Sequence, residues 1–251
     1  MHILSLFVAT LLLVISLPVR AAQLPASYPV QQLSPELQVQ QLAPGLWLHR
    51  TEKTLSNGAV FTANGLLLDT PEGIWLLDTA WGFYPTRDLL HWIDVVLQRP
   101  VVKAIATHAH DDRTGGVMAL AERSIPLQVT AQTAALAAKA GISPLQAVTG
   151  LAVGDSYQDG PLQWYYPGPG HTSDNIVLYL PQYQLLHGGC FVKAPRYPGL
   201  GNIADADVKA WPDSLRRLKA AYPQVKILVP GHGDIADAGL LDYSLALFNP
   251  Q

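Results

Sequence analysis

Cysteine occurs once in the 251 residues, so the chain can build no disulfide framework of its own. Basic residues never cluster, and 16 lysines and arginines against 19 acidic residues leave a formal net charge of −3, without the positive footprint that nucleic-acid binding requires. After Ala21 no apolar run approaches the roughly 20 residues that span a bilayer. The patterns Ser-x-x-Lys, Lys-Thr-Gly and Gly-x-Ser-x-Gly are all missing, and serine acyl-transfer chemistry has no support. Short repeats and low-complexity tracts are missing too.

The one long apolar run stands at the start. Ile3 to Leu17 is nearly continuous, about 15 residues, and Val19-Arg20-Ala21 puts small residues at a cleavage position. Residues 1–21 read as an export signal, and residues 22–251 as the catalytic domain. The mature protein is expected in the periplasm as a soluble monomer with no membrane or nucleic-acid partner. An odd thiol in an oxidising compartment is normally paired, buried or reactive. With no second cysteine, a metal about 2.3 Å from the sulfur is a natural state for Cys190.

Apolar periodicity predicts strands at Leu46 to His49, Val60 to Leu68, Ile74 to Asp78, Val101 to Ala106, Leu127 to Thr130, Leu162 to Tyr166, Ile176 to Leu180, Gln184 to His187 and Val225 to Val229. Helices are predicted at Thr86 to Gln98, Gly116 to Ala121, Ala131 to Ala140, Val208 to Ala221 and Leu240 to Phe248. Residues 23–41 are the most flexible-looking part, although Leu37 to Gln40 alternates like a first strand. Hairpin turns at Asn57-Gly58 and Asp159-Gly160, with strands bunched early and then alternating with helices, fit an α/β four-layer αβ/βα sandwich of two mixed sheets. Two halves would join near residue 150.

Six side chains then stand out. His108, His110 and Asp112 are spaced by two, which would put them on one side of an extended segment. His171, Cys190 and His232 each follow glycines just after a strand-like run, where ligand sites gather in strand-then-loop sheets. One histidine in a glycine turn is usually a hydrogen-bonded loop residue, and one cysteine a small buried hydrophobe. Together they supply two four-coordinate metal sites, each with an open position.

His108-Ala109-His110-Asp111-Asp112-Arg113-Thr114-Gly115-Gly116, Gly170-His171-Thr172-Ser173-Asp174-Asn175, Gly188-Gly189-Cys190-Phe191-Val192-Lys193, Gly201-Asn202 and Pro230-Gly231-His232-Gly233 resemble a metallo-β-lactamase, class B subclass 1. Arg113 stands where most hydrolases of that fold, such as glyoxalase II and subclass 3, carry histidine. Cys190 is the subclass 1 ligand, and His108 replaces the asparagine of subclass 2. The resemblance implies two Zn2+ per chain, one held by His108, His110 and His171, the other by Asp112, Cys190 and His232. Three neutral imidazoles leave the first ion its full charge, and the second set contributes two negative charges. A water between the ions would have its pKa lowered from 15.7 toward about 7, giving a metal-bound hydroxide as nucleophile toward penicillins, cephalosporins and carbapenems.

The resemblance also implies catalytic roles for Asp112 and Asn202, the latter helping to hold the carbonyl oxygen. Lys193 is expected to bind the substrate carboxylate. The hairpin from Thr54 to Phe61 takes the place of the family's flap over the pocket, with Phe61 and Trp81 against substrate. Arg113 and Asp78 are expected to orient ligands and loops, and His49 and His187 to be structural. Two rivals remain: another hydrolase of the fold, against which Arg113 and Cys190 count, and a non-catalytic zinc-binding protein, which would close its coordination spheres.

Overall fold

The computed structural model describes residues 28–248, so the predicted signal at 1–21 lies outside the described residues. The first sheet has eight strands in sequence order: β1 (Val30–Ser34), β2 (Leu37–Ala43), β3 (Leu46–Thr54), β4 (Val60–Thr70), β5 (Gly73–Leu77), β6 (Val101–Ile105), β7 (Leu127–Thr130) and β8 (Gln146–Thr149). Pairing is antiparallel up to β5 and parallel from there on. The second sheet uses β9 (Ser156–Asp159), β10 (Leu162–Tyr165), β11 (Val177–Leu180), β12 (Leu185–Gly189) and β13 (Ile227–Pro230), ordered β13-β12-β11-β10-β9. The change of sheet falls between Thr149 and Ser156, where the two halves were expected to join. Helices are α1 (Phe83–Trp92), α2 (Asp111–Thr114), α3 (Val117–Ala121), α4 (Ala131–Lys139), α5 (Trp211–Ala221) and α6 (Gly239–Ala246).

The period-two pattern of the strands sorts side chains into layers. Leu66, Leu68, Trp75 and Leu77 face inward between the sheets, meeting Trp164, Leu178, Leu180 and Leu185. Their neighbours Leu67 and Leu76 face the other way, onto Leu89, Leu90 and Ile93 of the α1 region and Leu120 of α3. In the second sheet Leu186 and Leu228 turn outward to Trp211, Leu215 and Leu218 of α5 and Leu241 of α6. Helix, sheet, sheet, helix is the predicted sandwich.

Several boundaries differ from the expectations, each for a local reason. α5 begins at Trp211 rather than Val208 because Pro212 belongs in a helix's first turn. α1 begins earlier than predicted, at Phe83, since Pro85 is tolerated in the first turn, and it passes into a π turn over Ile93–Leu97. β1, β8 and β9 were not predicted: all three are short and largely exposed, so no buried face announces them. The His-x-His-x-Asp segment is not extended throughout. His110 is extended at φ −67°, ψ 156°, and Asp112 lies in the helical turn α2. The spacing still converges because the chain turns inward there.

Candidate metal centre

Strand ends deliver the site. His108 and His110 follow β6, His171 follows β10, Cys190 follows β12 and His232 follows β13. The Cys190 sulfur lies 3.2 Å from Asp112 Oδ2 and 3.2 Å from His232 Nε2, and that nitrogen is 3.1 Å from the same Asp112 oxygen. The rings of His108, His110 and His171 pack edge to face with centroids 4.8 to 5.1 Å apart. His108 also falls within two mixed triads, with His171 and Cys190 and with His110 and Asp112, so the six side chains form one continuous cluster.

The donors fit zinc. Ligand atoms on a tetrahedral zinc with bonds of about 2.0–2.3 Å must sit roughly 3.2–3.8 Å apart, close to the spacings of the Asp112–Cys190–His232 set. His108 is fully buried, yet its Nε2 has no hydrogen-bond partner. A buried orphan nitrogen of that kind is costly unless something binds it.

Two of the four rings are aimed by what the other nitrogen does. His232 Nδ1 donates to the carbonyl of Thr62 at 2.7 Å, leaving Nε2 to the cluster. His110 Nε2 reaches Asp205 Oδ2 at 3.0 Å, leaving Nδ1 directed toward His171 Nε2, 3.2 Å away. Close backbone approach completes the arrangement: a Cβ on Gly231 would lie 2.7 Å from the Cys190 sulfur and 2.6 Å from its backbone nitrogen.

Arg113 organises the anionic side. It is fully buried, and its guanidinium donates to Asp112 Oδ2 at 2.9 Å, to the Cys190 sulfur at 3.1 Å, to the Gly231 carbonyl at 2.9 Å and to the Asn64 carbonyl at 2.6 Å. Burial alone would lower its pKa, but Asp112, Cys190 and Asp78 outweigh burial and raise it. For Asp112, burial pushes toward the neutral acid; Arg113, His232 and His108 prevail and hold it well below the usual carboxylate range. Burial drives His108 and His171 far below the ordinary histidine range, so both are neutral. His232 goes the other way. Burial opposes its charge, yet Cys190 and Asp112 raise it to about 10.

Asp78 anchors the floor. It has φ 59°, a conformation costly for any residue with a side chain. Its carboxylate accepts from Thr107 N at 2.7 Å, Thr107 Oγ1 at 3.0 Å, His187 Nε2 at 2.7 Å and Arg113 Nη1 at 3.3 Å. His49 Nε2 lies 3.0 Å from the Asp78 carbonyl. His49 and His187 are thus buried props under the motif that carries His108.

A cavity of about 290 Å3 opens over the cluster, lined by His171, His232, Lys193, Asn202, Phe61, Trp81 and Tyr197 among others. Lys193 is half-buried, its ammonium 5.0 Å from the Trp211 ring centroid. Burial lowers its pKa, with Cys190 and Asp112 pulling the other way. Asn202 Oδ1 accepts from Ala204 N at 3.1 Å, so the asparagine forms a turn as well as lining the cavity. Trp81 Nε1 donates to Asp111 Oδ2 at 3.0 Å, and Lys53 pairs with the same oxygen at 3.1 Å.

Sequence reasoning missed Asp205, Asn64 and Tyr197. Asn64 Nδ2 donates to the carbonyls of Pro230 and Gly233 at 2.9 and 2.8 Å, gripping the His232 turn from both sides. Its position, a polar residue inside the apolar run Val60 to Leu68, was the available clue. Asp205 and Tyr197 sit in polar loop sequence that offers none.

Residues 58–232 match the family described as the Metallo-beta-lactamase superfamily. A metallo-beta-lactamase type 2 of Bacillus sp. (strain 170) is 40% identical over 233 residues, 91% of this chain and 89% of that protein. A solved metallo-beta-lactamase from Pontibacter korlensis superposes with TM-score 0.79 at 40% identity, covering 86% of this chain and all of the other. FIM-1 from Pseudomonas aeruginosa, solved in a mono-zinc form, gives TM-score 0.79 at 31% identity over 87% of this chain and 97% of its own. The chain belongs to the metallo-β-lactamase superfamily, and Cys190 beside Arg113 puts it with subclass 1.

Proposed function

We propose that this protein, exported to the periplasm as a monomer, hydrolyses the lactam ring of penicillins, cephalosporins and carbapenems with two zinc ions. His108, His110 and His171 would hold one, and Asp112, Cys190 and His232 the other. The observation that carries the reading is the convergence of those six side chains beneath a cavity that also contains Lys193. Zinc, when bound there, supplies Lewis acidity that activates water and polarises the lactam carbonyl.

The chain's own groups do the rest. Lys193 gives the substrate carboxylate a counter-charge whose partly desolvated setting strengthens the pair. Asn202 offers its amide group at the cavity lip toward the carbonyl oxygen. Asp112 Oδ2 is engaged by Arg113, Cys190 and His232, and Oδ1 lies 3.8 Å from His108 Nε2. Those charges keep the carboxylate ionised, so Asp112 serves the reaction as the anionic donor of the second site. Phe61 and Trp81 supply apolar walls for the substituents.

The test is to count zinc per chain and follow a chromogenic cephalosporin with and without a chelator. Two ions, loss of activity on chelation, recovery with added zinc and indifference to clavulanate are expected. Activity surviving thorough metal removal would overturn the reading.

A further inference from the structure

Toward the hairpin β4 outruns its neighbour β5, which pairs only with Leu66 to Thr70. The edge of β4 over residues 60–64 is thereby left without a strand, and backbone groups there need other partners. The site loops provide them. Asn64 N donates to the Gly231 carbonyl at 2.8 Å, and the Thr62 carbonyl accepts from His232 Nδ1 at 2.7 Å. A third group, Thr62 N–H, donates to the Tyr197 hydroxyl at 3.0 Å, which also lies 3.3 Å from Thr62 Oγ1.

Tyr197 belongs to the loop that leads from Lys193 to Asn202 and lines the same cavity as Phe61 of β4. Its ring packs on Phe61 with centroids 4.9 Å apart, and Phe61 in turn meets the edge of the His232 ring at 6.5 Å. The same loop rests on the turn after His232: a Cβ on Gly233 would come within 3.1 Å of Ala194 Cβ and 3.3 Å of Arg196 Cβ. Thr62 is thus held at its N–H by a pocket residue and at its carbonyl by a metal-site histidine.

We propose that Tyr197 is a positioning residue for the Asp112–Cys190–His232 site, acting through the Thr62 backbone to aim His232 Nε2 and joining the hairpin root to the loop that carries Lys193. The inference rests on the two-ion reading above. Without the hydroxyl, Thr62 N–H has only water, the β4 edge loosens, and the orientation of the His232 ring broadens. Among the described residues no hydrogen bond joins the other set to Thr62, and that set keeps its geometry.

The test uses Tyr197→Phe, which keeps the ring and its packing on Phe61 and removes only the hydroxyl. Metal-free full-length mature protein is titrated with Co2+ as a spectroscopic probe. Direct supporting partners of metal ligands are worth about 10–100-fold in affinity, and Tyr197 acts one step further out. The second ion is therefore expected to bind about three- to tenfold more weakly, with the first ion unchanged and kcat reduced in step with second-site occupancy. Phe61→Leu, which keeps the hydroxyl bond, should leave the second ion's affinity as in the wild type and change KM instead. Wild-type constants for both ions in Tyr197→Phe, or an equal loss at both, would overturn the positioning role. Fewer than two ions in the wild type would overturn the two-ion reading, and the inference with it.

Discussion

The two halves of the metal cluster are built on opposite electrostatic plans. His108 and His171 are driven neutral by burial, so those two rings stand ready for a cation with no proton to remove. The other half is anionic, is gripped by a buried arginine, and holds His232 as an imidazolium, its pKa raised to about 10. A proton there occupies the charge role that a metal ion would fill. One half is organised by desolvation, the other by charge pairing, and they should fail differently.

The sharpest way to break the contrast is Arg113→Ala. Breaking a buried ion pair by removing one partner costs about 3–5 kcal/mol, and here Asp112, Cys190 and Asp78 would all lose a donor. Denaturant unfolding of the metal-free variant should show that loss, and zinc analysis should find the second ion gone. Stability within about 1 kcal/mol of wild type would contradict the charge-pairing plan.

Cys190→Ser should be milder for the fold and selective for the metal. It keeps the shape but exchanges a soft sulfur for a hydroxyl, so second-site affinity should fall by at least about 10–100-fold, with turnover following. The three-histidine half should retain its ion. Equal weakening of both ions would mean the halves are not separable.

Smaller still is the effect at the cavity wall. Lys193→Ala removes a charge-assisted bond to the substrate carboxylate worth about 1.5–3 kcal/mol. That should raise KM by roughly one to two powers of ten while kcat holds, with both ions still bound. A large fall in kcat at unchanged KM would assign Lys193 to the chemistry instead of to binding.

Much of this centre was legible in the sequence. Each of the six clustered side chains is marked by local grammar, a glycine or an alternating His-x-His at the end of an apolar run, and consecutive leucines announce strands buried on both faces. What was not legible depends on distance along the chain. Asp205 supports His110 from 95 residues away, and Tyr197 reaches Thr62 across 135. Neither sits in a pattern whose period carries information. The edge strand β1 was hidden for a related reason: its exposed Val-Gln-Gln sequence reads as a tail until β2 supplies the partner.

The contrast between the halves is tested most directly by counting protons released as zinc binds. Metal-free protein is titrated with zinc near pH 7.5 by calorimetry in buffers of differing ionisation enthalpy. For the first set the sign is simple: the pKa values of His108 and His171 lie far below 7.5, both rings are already neutral, and their ligation displaces no proton. For the second, His232 is protonated below about 10 and must lose that proton to ligate. The account predicts two binding steps, one nearly proton-neutral and the other releasing at least one proton, with the releasing step alone weakened by Cys190→Ser. A single step, or equal release in both, would contradict it.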